Sequence, residues 1–183
     1  MIDNRSPLAV KIMTANPHAY EALVVAGGTP PLARELLKNV EPGQLLTAPA
    51  PSSIATGALL AGLWLWHDGL EECHSFVQNL PHATGSFWHA IMHRREGDFS
   101  NSKYWYARAG NHPALAIIAA QAGPIINEMP ADRRLLRIVS RGFDPNALVD
   151  LVEEVHHSSG DPRHAVAVRL QQLEWRILFD LSE

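Results

Sequence analysis

The chain carries a single cysteine, Cys73, in 183 residues, which excludes an intrachain disulfide and fits a reducing compartment such as the cytoplasm. Long hydrophobic runs are also missing. The longest, "IATGALLAGLWLW" from Ile54 to Trp66, is 13 residues, whereas a helix needs about 20 to cross about 30 Å of hydrocarbon. It reads as a buried core helix and predicts no membrane partner. The opening "MIDNRSPLAV" lacks a basic stretch followed by an apolar core, so no signal peptide is expected. An excess of positive charge is absent too: the formal net charge of −4 gives no global attraction to nucleic acid, so any anion site must be local. Alternating β-branched runs are missing, which argues against strands. No P-loop, dinucleotide fingerprint or nucleophile elbow occurs, and "VVAGGTPP" offers only paired glycines with no strand before them.

What is present reads as helix. Apolar residues make up 46% and charged residues 19%, enough for one well-packed soluble domain spanning 1–183. Asn16-Pro17, Asp144-Pro145 and Asp161-Pro162 each place a polar acceptor before a proline, the pattern of an N-cap followed by the first helical position. The final helix sets Val166, Leu170, Leu173, Ile177 and Leu181 in one apolar stripe. Such a stripe can complete the monomer's core or bury against a second copy, so a homo-oligomer is open. N-terminal helices are expected over 1–46, at "PHAYEALVVA" and "PPLARELLKNV", followed by the connector "EPGQLLTAPAPSS". A central block over 53–122 predicts five helices broken at Asp68-Gly69, "PHATGS", Gly97-Asp98 and "GNHP", and C-terminal helices fill 130–183. Short breaks favour antiparallel neighbours, so the expected fold is all-α, a set of antiparallel helical hairpins.

Within that block "HDGLEECHSFVQNL" and "EGDFSNSKYWYARA" align at an offset of 29 residues, with Leu70 over Phe99, Cys73 over Ser102, Phe76 over Trp105 and Leu80 over Ala109. The pattern resembles the second helix of tetratricopeptide-type or Sel1-type repeats. That likeness implies a TPR-like central block and, as one function class, a helical module that binds a partner chain.

A second class comes from the histidines, six of whose ten fall between 67 and 112. At about 100° per residue, Phe87, Trp88, Ile91 and Met92 share one helical face while His89, His93 and Glu96 share a neighbouring one. Upstream, His67, Glu71 and His74 repeat the same i, i+4, i+7 spacing, provided the Asp68-Gly69 turn does not separate His67 from the others. If the faces meet, His67, His74, His89 and His93 form a ligand set for a divalent transition metal such as Zn or Fe. Glu71 or Glu96 would then serve as the catalytic acid or base, in hydrolysis or hydration chemistry. Arg94, Arg95 and Lys103, with Arg108, form a cationic patch that could hold a small anionic ligand. The plainer alternatives are a polar network of histidines tying hairpins together, and charges that simply pair.

Finally, "GSFWHAIMHRREGDFSNSKYWYARAGNHP", with "LWHDGLEECH" before it, resembles the most recognisable segment of a family of uncharacterised bacterial and fungal proteins. The likeness covers about residues 60–115. It implies a similar central helical block and brings with it no activity or assigned site.

Overall fold

The computed structural model describes residues 6–46 and 53–182. Among these the architecture is all-α: ten α-helices and a single 3-10 turn at Pro42–Gln44, with no strand beyond an isolated bridge between Ser140 and Gly142. In chain order the helices are α1 (Pro7–Thr14), α2 (Pro31–Leu37), α3 (Ser53–Trp66), α4 (Leu70–Val77) and α5 (Ala83–Glu96). They continue with α6 (Phe99–Ala109), α7 (Pro113–Ile126), α8 (Arg133–Val139), α9 (Pro145–Val155) and α10 (Pro162–Asp180). The five helices expected in the central block are therefore α3 to α7; the connector expected at 41–53 begins with the 3-10 turn, and its residues 47–52 lie outside the described residues.

The proline-preceding caps form as expected at Asp144 and Asp161, whose carboxylates accept from the Ala147 and Arg163 amides. Asn16-Pro17 does not start a helix. Residues 17–20 make a turn, the backbone runs on without helix to Thr29, and the first helix lies earlier, capped by Ser6. The reason is tertiary. The Tyr20 and Ala22 carbonyls accept from Gln171 Nε2, Ala22 also accepts from Arg95 Nη2, and the Val25 amide donates to the Arg95 carbonyl. Those bonds occupy the groups a local helix would have used.

Helix α5 is the centre of the fold. Every residue from Gly85 to Arg95 is buried, because α3, α4 and α6 pack around it. Gly85 and Gly62 make the packing possible: a Cβ on Gly85 would run into the Leu80 backbone, and one on Gly62 would lie 2.9 Å from both Trp88 and Phe179. Helices α4 and α6 both lie against α5, and Cys73 and Ser102, aligned at the offset of 29, are both completely buried. The Ser102 hydroxyl donates to the Ala90 carbonyl at 2.8 Å. Helix α10 packs against α3, α7 and α9 and buries ten of its residues. No helix among the described residues is long and apolar enough to cross a membrane.

Candidate metal centre

Three of the four candidate histidine ligands meet, and His67 does not join them. His74 on α4 and His89 and His93 on α5 place one ring nitrogen each within 4.8 Å of the other two. His89 and His93 stack at 4.9 Å, and His74 meets His89 edge-on at the same distance. Helical spacing puts His89 and His93 one turn apart on the same side of α5. The short α4–α5 connection folds His74 back onto them.

His67 is elsewhere. Asp68 adopts a left-handed φ of 64°, which ends α3 and turns the chain before α4 begins. The His67 ring is buried, with Nε2 2.9 Å from the Ile12 carbonyl, and it ties α1 to α3. Burial lowers its pKa, the opposite of the protonated form a helix C-terminus alone would favour.

His89 is 3% exposed, and its Nδ1 has no hydrogen-bond partner. Burial, reinforced by the neighbouring His93 and His74, pushes its pKa down to about 4. It therefore stands neutral at physiological pH with an unused polar atom in the interior, the protonation state a metal ligand requires. One face of its ring lies against Trp105 at 3.8 Å, nearly parallel. His93 is held from both sides: Nδ1 lies 2.9 Å from Glu96 Oε2, and Nε2 lies 3.1 Å from Asn101 Nδ2. A carboxylate on Nδ1 fixes the tautomer with its lone pair on Nε2, which here accepts from Asn101 Nδ2, so metal binding through His93 requires Asn101 to swing away.

Glu96 thus positions an imidazole and does not stand free as an acid or base. Glu71 is exposed, one turn before His74 on α4. Asn101 and Trp105 were not foreseen as site residues. Their signal was available, since they sit one turn apart on α6 and so share the face turned to α5.

The anion patch is dismantled by pairing. Arg94 is completely buried: Nη2 donates to Glu174 Oε2 at 2.5 Å, Nη1 donates to the Tyr106 hydroxyl at 2.6 Å, and that hydroxyl donates to Glu174 Oε1 at 2.7 Å. Arg95 is equally buried, donating to the Leu65 and Ala22 carbonyls and to Asp68 Oδ1, with its guanidinium 4.0 Å from the Tyr20 ring centre. Lys103 reaches Asp150 at 2.6 Å. A cation inside a low-dielectric core has to be matched there, and Arg94 and Arg95 are matched by protein groups instead of a ligand, while Lys103 pairs at the surface. Arg108, the fourth cation, rests over the Trp105 and Tyr104 rings.

Two further histidines take local roles. His82 and His112 cap α5 and α7, each accepting through Nδ1, from the Gly85 and Ala114 amides respectively. Burial lowers the pKa of both. Cys73 is fully buried with its pKa pushed up by desolvation, which makes it an inert core thiol. Comparison of the chain with protein families, with curated proteins and with solved structures found no match.

Proposed function

We propose that the protein binds a divalent transition metal through His74, His89 and His93, and that this centre carries its small-molecule chemistry. The observation behind the reading is the convergence of three imidazoles, each offering a ring nitrogen within 4.8 Å of the other two, with His89 buried and its Nδ1 unpartnered. A buried polar atom without a partner costs roughly 1–3 kcal/mol, a cost that coordination would remove. Three imidazole nitrogens suit Zn and the later first-row metals, and a three-histidine set leaves a coordination position for water or substrate. In that role the metal would acidify its water, while Glu96 holds His93 in register and Trp105 supports His89. Glu71, exposed on the turn before His74, is the carboxylate left for proton transfer.

Elemental analysis of tag-free protein, followed by equilibrium dialysis against zinc and cobalt, tests the reading. About one metal per chain is expected, lost in a His89→Ala/His93→Ala variant that keeps its helical circular dichroism. Metal-free protein that takes up neither ion at micromolar concentration would refute it and leave the histidines as a polar network between α4, α5 and α6.

A further inference from the structure

A cavity of about 490 Å³ lies away from the histidines, between the end of α1, the turn at 17–20, α7 and α10. That volume falls in the range of pockets that hold small molecules. One wall is aromatic: the half-buried Trp66 and the buried Trp175 both line it, their rings 4.4 Å apart. Behind Trp66 the Tyr20 ring stacks at 5.4 Å and nearly parallel, which fixes the indole plane. Tyr20 is there because its backbone takes a φ of 62°, a conformation unfavourable for a bulky side chain, and its two neighbours, Ala19 and Glu21, face the cavity.

The polar rim is asymmetric in charge. Arg169 is neutralised by Glu128, with two contacts of 2.6 Å. Arg176 meets no carboxylate among the described residues; its Nη2 donates to the neutral Gln121 Oε1 at 3.1 Å. Glu21 faces His18 across 3.3 Å at the exposed edge. An indole wall of fixed plane beside a guanidinium without a counter-charge is complementary to a flat apolar body ending in a negative group.

We infer that this cavity binds a small planar organic anion, an aromatic carboxylate, whose ring lies against Trp66 and whose carboxylate pairs with Arg176. The inference is independent of the metal centre, since none of the three histidines lines the cavity. Glu21 opposes the anion at the rim and sets the sign of a control: removing its charge strengthens binding, whereas removing Arg176 weakens it.

Calorimetric titration of the full chain with 2-naphthoate, its neutral carboxamide and 2-naphthylmethylammonium tests this. Naphthoate is expected to bind at one per chain, about tenfold or more tighter than the carboxamide. Arg176→Gln, a change at an exposed side chain, should erase that preference, and Glu21→Gln should tighten naphthoate about twofold. Absence of naphthoate binding at millimolar concentration, indifference to Arg176→Gln, or a preference for the ammonium probe would each overturn the inference.

Discussion

Glu174→Gln should destabilise the fold severely without touching the candidate metal centre. Both side chains of the Arg94–Glu174 pair are completely buried. Their remaining polar partner is the Tyr106 hydroxyl, so the three groups close on themselves. Glutamine keeps the shape and can still accept from Arg94, but the guanidinium then stands uncompensated in the interior. Breaking a buried pair from one side costs about 3–5 kcal/mol, a large share of the roughly 5–15 kcal/mol that holds a domain together. For a chain of this size the melting temperature should fall by about 6–20 °C. Tyr106→Phe, which removes one shared hydroxyl, should cost about 1–3 kcal/mol. An Arg94→Met/Glu174→Leu double variant should recover most of the single-variant loss, because the buried charges disappear together. Urea unfolding followed by tryptophan emission measures all four proteins. If Glu174→Gln loses less than about 1 kcal/mol, or if it creates affinity for added carboxylates, Arg94 is accessible to ligands and the pairing argument is wrong.

Acid should unfold the metal-free protein earlier than carboxylate titration alone would. His67, His82 and His112 are held neutral by burial, and their depressed pKa values mean that the unfolded chain takes up protons first as the pH falls below about 6.5. Their stabilisation is thus present at pH 7 and is lost as the pH falls through the folded values. His89, lowered to about 4, contributes in the same direction, and its share is lost progressively down to about pH 4. Urea midpoints at pH 7 and pH 5 check this, and equal midpoints would contradict it. Glu96→Gln should weaken zinc about tenfold or more by loosening His93, with melting of the metal-free protein little changed; dialysis reads the first effect and calorimetry the second. Gly85→Ala should cost several kcal/mol, because the new methyl meets the Leu80 backbone and not a side chain that can swing away. A wild-type melting temperature in that variant would show that α4 and α5 are not joined as described.

How far the sequence revealed this protein depends on where each residue's partners lie along the chain. The caps at Asp144 and Asp161, the breaks around α4 to α7 and the shared face of His89, His93 and Glu96 are local matters, decided within a few residues, and they were legible. That His74 would join them required only that two consecutive helices fold back, which a short connection favours. Arg94 and Arg95 were illegible for the opposite reason. Adjacent arginines at the end of a helix look solvated, yet their partners are Glu174, 80 positions on, and Leu65 and Asp68, about 30 back. Periodicity found the histidine face of α5, but a helix buried from Gly85 to Arg95 gives no sign that the arginines beside that face are buried too. The same blindness hid the turn at 17–20, whose local signals favour a helix until Gln171 and Arg95 claim its carbonyls. Tertiary capture therefore explains both errors, and it sharpens the reading of the histidines. Six buried side-chain polar atoms among the described residues have no hydrogen-bond partner: Tyr20 Oη, His82 Nε2, His89 Nδ1, Arg94 Nε, Arg95 Nε and Gln171 Oε1. The arginine nitrogens are donors and cannot ligate a metal, whereas a neutral imidazole nitrogen can, so the one carried on a ring that meets two other imidazoles is the one a ligand best explains.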